Sequence, residues 1–235
     1  MEFTFSNKEY IPENEKDRKA KDIALGLHAP GRWDKILEIN SCHIQSKIAN
    51  DIFCIIKEYS KNLEPYDIRL HTGFMRNVII RVGENTNEVM VNFVTTREDI
   101  NVLSPLVEIL IKKFPSISSM VNNITSSKSG VSHGEKQIVL HGEGYLVEAL
   151  GDYEFMVSAD SFFQTNTKQA IKLYDIILEE SNFTGEEIVY DLFCGTGSIA
   201  LYISKHVKMV YGFELIMSAA QNAMLQYMPK TKKRE

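Results

Sequence analysis

Cysteine is scarce in this sequence: three residues, Cys42, Cys54 and Cys194, lie far apart and form no CxxC pair. That spacing argues against a disulfide framework and against a self-contained zinc site. The six histidines (His28, His43, His71, His133, His141 and His206) show no metal-ligand spacing either, and read as surface or core residues. No apolar run approaches the ~20 residues of a membrane span. The start, MEFTFSNKEYIPENEKDRK, lacks the basic-then-apolar order of a secretory signal, so a cytoplasmic protein without membrane contact is expected. Positive charge is also in deficit: the formal net charge is -5. That balance weighs against a nucleic-acid binder, whose phosphate contacts need Lys and Arg, but it says nothing of how the charge is distributed. There are no internal repeats and no long low-complexity segment. With 44% hydrophobic and 24% charged residues over 235 positions, the chain reads as a globular protein able to bury a core in one large domain or two small ones.

The chain divides near residue 155. In the first part, RNVIIRV (Arg76–Val82) and EVMVNFVT (Glu88–Thr95) are rich in β-branched residues and flank GENTN, which supplies glycine and asparagine for a turn; together they predict a β-hairpin. Ser104–Phe114 has apolar residues at helical spacing and Pro105 where a first turn accepts it, which predicts a helix. NNITSSKSGVSHG (122–134) reads as an exposed loop. Strands are expected at Gln137–His141 and Tyr145–Ala149, with a weaker one at Phe155–Ser158. From Thr165 the period changes to helical as far as Glu180. A strand (Glu187–Leu192), a Gly-rich turn (Cys194–Gly197), a helix (Ser198–His206), a second strand (Lys208–Phe213) and a helix from about Met217 follow. Strand–helix–strand with such short links implies a right-handed crossover and a parallel sheet. Two strands cannot bury both faces of such a sheet, so the unit is expected to be incomplete or completed by a partner.

The most informative stretch is IVYDLFCGTGSIALYISKHVKMVYGFEL (188–215). A strand carrying Asp191 runs into the turn at Gly195 and Gly197, where the missing side chains let a ligand approach the backbone. Glu214 closes the next strand. In a βαβ unit a carboxylate there sits beside the first turn and can accept the ribose hydroxyls of a bound nucleoside. Phe193 lies where a ring could touch the ligand. A dinucleotide fingerprint would need a further glycine where Ala200 stands. The acid ahead of the turn, Asp191, instead fits D-x-x-x-G-x-G, the methyltransferase form of the loop, in which a carboxylate serves a cationic cofactor.

SFFQTN (161–166), then a helix, then DLFCGTG (191–197), is very similar to the RNA 5-methyluridine methyltransferases, especially those of 23S ribosomal RNA. That resemblance implies an α/β chain. An α+β central domain (1–155), facing RNA, would precede the start of a Rossmann-like S-adenosylmethionine-binding domain (156–235). By resemblance Gln164 lies at the pocket for cofactor and target base, with Phe162 beside the base. The same segment also reads as a helix start, with Thr165 or Asn166 capping and Phe162 and Phe163 packed as a staple. GLHAPGRWDKILEINSCHIQ (26–45) resembles the central-domain segment leading to the fourth cysteine of an iron–sulfur cluster, which matches Cys42. The other three ligands are missing here. A cluster belongs, if anywhere, to a longer protein, and Cys42 reads as a former ligand or an ordinary thiol.

The chemistry implied by the family is covalent: a cysteine adds to uracil C6, C5 then takes the cofactor methyl, and a base removes the C5 proton. In the family both the cysteine and the base glutamate follow the Gly-rich turn at a distance, and no cysteine follows it here. Cys194, within the turn, reads as a small packed residue, and no catalytic residue is assigned. The expectation is therefore a fragment, inactive alone, with ribosomal RNA as partner, transfer RNA as the other candidate, and no obligate protein partner. Arg76, Arg81, Arg97 and Lys128 are candidate phosphate contacts. A methyltransferase for another substrate and a non-catalytic RNA-binding module are the competing readings.

Overall fold

The computed structural model describes residues 1–128 and 134–226; positions 129–133, which include His133 and part of the expected loop, lie outside them, as do 227–235. In chain order the elements are β1 (Glu2–Ser6), β2 (Ala24–His28), β3 (Ile36–Glu38), α1 (Lys47–Tyr59), β4 (Met75–Val82), β5 (Val89–Thr95), α2 (Ile100–Lys113), β6 (Ile117–Ile124) and β7 (Lys136–Gly142). They continue with β8 (Tyr145–Leu150), β9 (Tyr153–Ser158), α3 (Thr167–Ser181), β10 (Ile188–Leu192), α4 (Ser198–Ile203), β11 (Met209–Phe213) and α5 (Met217–Gln226). The chain forms two compact units, Met1–Val82 with Val89–Gly144, and Gly83–Glu88 with Tyr145–Glu235. The division falls after Gly144 rather than near residue 155, because β8 and β9 pair with each other and with no strand of the first sheet.

The first unit is a seven-stranded sheet in the order β3-β2-β1-β4-β5-β6-β7. All neighbours are antiparallel except β5 and β6, which α2 joins as a crossover. The alternation in EFTFS sends Phe3 and Phe5 to one face and Glu2 and Thr4 to the other. On the apolar face, α1 contributes Ile52, Phe53 and Ile56, and α2 contributes Leu103, Leu106 and Leu110, all fully buried. Phe3 meets Phe53 with ring centroids 4.4 Å apart. Burying such side chains stabilises by roughly 1.5–3 kcal/mol each, which explains why this face holds both helices.

Two sequence expectations move. The second helix starts at Ile100, capped by Asp99, so Pro105 lies inside it rather than in its first turn. Asn101, whose carbonyl loses its partner to the proline, is exposed, so water can reach it. The expected loop at 122–134 begins only after Ile124: Asn122 and Asn123 are buried in β6. Asn122, a residue type common in loops, here donates its amide to the Phe93 carbonyl at 3.0 Å and to Thr95 Oγ1 at 3.0 Å. The hairpin of β4 and β5 is as expected.

In the second unit, β8 and β9 form a two-residue hairpin through Gly151, and β10 pairs in parallel with β11, register Ile188↔Met209 to Leu192↔Phe213. Buried Glu148 on β8 binds the turn 83–88, accepting the N–H of Glu84 at 2.6 Å and of Asn85 at 3.1 Å, and also the Thr167 hydroxyl at 3.0 Å. Helix α3 buries only Thr167, Ala170 and Tyr174, while Leu173 and Ile176 of its apolar face stay half exposed. The two-stranded sheet is similarly bare, with Ile188, Tyr190, Leu192, Met209, Tyr211 and Phe213 all about half exposed. Among the described residues no helix is long and apolar enough to cross a membrane.

Candidate cofactor site

The site is built where β10 passes into α4. Main-chain curvature there needs left-handed dihedrals at three places: Phe193 (φ 62°), Gly195 (φ 57°) and Gly197 (φ 75°). Two are glycines, which adopt this region without steric cost; the phenylalanine does so against its own Cβ. Its ring is 87% exposed. The turn is closed by the Gly197 N–H donating to the Cys194 carbonyl at 2.8 Å, and is tied to β11 by the Cys194 N–H donating to the Phe213 carbonyl at 3.0 Å.

Parallel pairing places Glu214, the residue after β11, against this turn. Its Oε2 accepts the Gly195 N–H at 2.8 Å and its Oε1 accepts the Ile216 N–H at 2.7 Å. These donors, Ile216 first and then Gly195, hold its carboxyl below the usual carboxylate range. Each oxygen keeps a further lone pair, so the ionised group can still accept from two neighbouring hydroxyls. Over Gly195 the space is open, and a Cβ built there would meet no atom within 4 Å. The backbone at Gly195 is thus uncovered on the side where a side chain would stand.

Asp191 is differently employed. It was expected to serve a cationic ligand, but its Oδ2 accepts the Ala200 N–H at 3.1 Å, in the first turn of α4. Gly197 has no side chain with which to cap that helix, and Asp191 supplies the acceptor from the preceding strand. Burial pushes its carboxyl up, partly opposed by the Ala200 N–H. Cys194 is half-buried, and burial, with the charges of Asp191 and Glu214, pushes its thiol up. An attacking cysteine needs the opposite shift. Its sulfur fills the space over Gly212, where a Cβ would approach it to 2.9 Å.

In the SFFQTN segment Asn166 caps α3, accepting the Gln169 N–H at 3.1 Å. Phe163 packs on Phe155, ring centroids 5.5 Å apart. Phe162 does not join the expected staple: it is 72% exposed, and Gln164 is exposed too. No motif points to Asn222. From α5 its amide donates to Ser158 Oγ at 2.9 Å and to Ser161 Oγ, latching the start of SFFQTN to the helix that follows Glu214. Its position between buried Ala219 and Ala223, on one helical face, is the only signal that could have found it.

No family model matches the chain. Over 230 residues it is 40% identical to a protein of Chlorobaculum tepidum named as an uncharacterized RNA methyltransferase, covering 95% of this chain and 48% of that protein. A protein of Porphyromonas gingivalis with the same name is 36% identical over 234 residues, covering 95% and 50%. The chain is a homologue of proteins named RNA methyltransferases. It spans about half the length of the curated relatives it matches. The crystal structure of Pyrococcus abyssi tRNA (uracil-54, C5)-methyltransferase in complex with S-adenosyl-L-homocysteine matches with a TM-score of 0.73 and 26% identity, over 96% of this chain and 51% of that one. The α/β fold of this RNA methyltransferase homologue is thus shared with a methyltransferase of known structure.

The iron–sulfur resemblance at Cys42 is not borne out. Cys42 is buried in the hydrophobic core beneath α1, and no group of His, Cys, Asp or Glu able to hold a metal ion occurs among the described residues. Its environment is that of a packed thiol: the Asn50 side chain accepts its N–H at 2.8 Å and donates to its carbonyl at 3.0 Å. Of the expected phosphate contacts, Arg76 is corrected. It is buried, stacked 4.5 Å from the Tyr66 ring centroid and bonded to the Ser127 carbonyl at 2.5 Å. Arg97 pairs with Glu64 and lies over Phe74, Arg81 is half-buried, and Lys128 is exposed.

Proposed function

We propose that this chain carries the nucleoside-binding half of an S-adenosylmethionine site in an RNA uracil-C5 methyltransferase. The observation that carries the reading is the Glu214 carboxylate set against the open backbone of Gly195, just past the ends of two adjacent parallel strands. Homology to proteins named RNA methyltransferases supports it, as does the likeness to a tRNA (uracil-54, C5)-methyltransferase solved with S-adenosyl-L-homocysteine. When bound, the cofactor supplies the methyl group. Glu214 would accept its two ribose hydroxyls, the backbone at Gly195 and Gly197 would face the ligand without side chains, and the Phe193 ring would cover it. Asp191 would keep α4, and with it the turn, in place. Gln164 would hydrogen-bond at the pocket edge, where a carboxamide both donates and accepts, and Phe162 would lie beside the base. No residue of this chain is assigned to the methyl-transfer step, and the nucleophile and base would lie beyond its C-terminus.

The RNA is the finer question. The sequence resemblance favours 23S ribosomal RNA, whereas the solved neighbour acts on tRNA. The test has two parts. Calorimetry of this chain with S-adenosyl-L-homocysteine should show one site, lost in Glu214→Ala. The full-length protein should transfer label from S-adenosylmethionine to unmodified 23S ribosomal RNA rather than to tRNA, releasing tritium from 5-tritiated uracil. Absence of cofactor binding by folded protein, or methylation of anything other than RNA uracil, overturns the reading.

A further inference from the structure

The first unit holds a hollow that shares no residue with the Gly-rich turn. On the sheet face opposite α1 and α2, an open hollow of about 730 Å³ is lined by His28, Trp33, Ile68, Arg69, His71 and Lys128. A smaller cavity of about 240 Å³ adjoins it, sharing His28, Trp33 and Ile68. Every ionisable side chain lining the larger hollow is basic, in a protein whose net charge is -5. Buried Asp34 beside it pairs with both Arg32 and Arg69, buried Asp67 takes the N–H groups of Arg69 and Leu70, and Lys128 adds a cation on the rim of the hollow. Trp33 stands on the rim 64% exposed. A large aromatic surface left in water costs free energy, and a flat ring beside cations is what a nucleotide needs: a face on which a base stacks and partners for its phosphates. His71 strengthens the case. It holds a left-handed φ of 58°, fixed by the Tyr66 hydroxyl 2.8 Å from its Nδ1, a strained conformation of the kind that accumulates at binding sites.

We infer that this hollow binds a single-stranded segment of RNA, one base stacking on Trp33 and the adjoining phosphates meeting Arg69 and Lys128. The choice of RNA over another polyanion rests on the function proposed above, but the site shares no residue with the cofactor site. Trp33 is the only tryptophan in the sequence, so its fluorescence reports the contact directly. Titration of this chain with oligouridylate should quench that emission, with an apparent Kd that rises as salt is added. With fluorescently labelled oligouridylate, Trp33→Ala should weaken binding about ten-fold and Trp33→Phe much less. Lys128→Glu should weaken it while lowering the salt dependence. Both positions are exposed, and an unchanged melting temperature shows that the variants fold. Equal quenching by polyphosphate, with Trp33→Ala binding RNA normally, overturns the inference in favour of a simple anion patch. Binding of an acidic peptide in preference to RNA overturns it in favour of a protein partner. Calorimetry with S-adenosyl-L-homocysteine on Trp33→Ala keeps the two questions apart: an unaltered cofactor Kd means that failure here leaves the proposed function standing.

Discussion

Asp191 caps a helix to which it does not belong: its Oδ2 receives the backbone N–H of Ala200, across the turn that the cofactor is proposed to occupy. Two variants separate its cap from its charge. Asn keeps an acceptor and Ala does not, so Asp191→Ala should be about 1 kcal/mol less stable than Asp191→Asn in urea unfolding. Burial raises the Asp191 pKa in the folded state. A raised carboxyl pKa favours folding in acid, and that contribution is lost as pH climbs through the folded value. Asp191→Asn should therefore gain on the parent at pH 7, and the gain should shrink steadily as pH falls toward the unfolded value of about 3.9. A difference independent of pH would show that the charge is not held in a dry place.

Glu214 has the opposite sign. Its folded pKa is depressed by the Ile216 and Gly195 N–H groups, so its contribution is present above the ordinary carboxylate range and is lost as pH falls through the depressed value. Affinity for S-adenosyl-L-homocysteine should hold steady from pH 8 down to about 5 and fall only in stronger acid. A carboxamide has one accepting oxygen where the carboxylate has two. Glu214→Gln should therefore lose about ten-fold or more in calorimetric affinity, and Glu214→Ala at least as much.

The two glycines flanking this contact should respond differently. Gly195→Ala meets open space but must keep a φ of 57°, at a cost of about 1 kcal/mol. The chain should fold and lose cofactor binding, because the new methyl covers backbone that the cofactor is proposed to approach. Gly212→Ala instead drives a Cβ to 2.9 Å from Cys194 Sγ. It should lower the melting temperature, and Cys194→Ala in the same chain should restore most of the loss.

Glu148 makes the sharpest stability prediction. Buried, it accepts from Glu84, Asn85 and Thr167. Glu148→Ala leaves those donors unpaired and should cost about 3 kcal/mol in denaturant unfolding. Proteases should then cut within 83–88, a segment the parent protects. Intact resistance in the variant would mean that the turn is held by other contacts.

The turn from β10 to α4 was legible in the sequence because its demands are local: Gly195 and Gly197 answer dihedral requirements, and Glu214 follows a strand whose register is set by a short crossover. The β4–β5 hairpin was legible for the same reason. What could not be read depended on partners far along the chain. Asn122 and Asn123 look like loop residues until β5 and β7 lie on either side of them and the Phe93 carbonyl takes the Asn122 amide. Arg76 looks like a phosphate ligand until the Tyr66 ring and the Ser127 carbonyl enclose it. Cys42 could be read either way until the core residues of α1 and the sheet close over it, where it packs as an ordinary thiol.

Phe193 has a wider consequence. A residue with a Cβ held at φ 62° is strained by about 1 kcal/mol, and a ring 87% in solvent recovers none of this by burial. In the free chain, glycine would be the more comfortable tenant of that position. On the proposed reading, a planar ligand resting on the ring would offset that imbalance. Thermal resistance gained on adding an aromatic ligand should therefore be smaller in Phe193→Gly, which starts from the relaxed backbone and has nothing to cover.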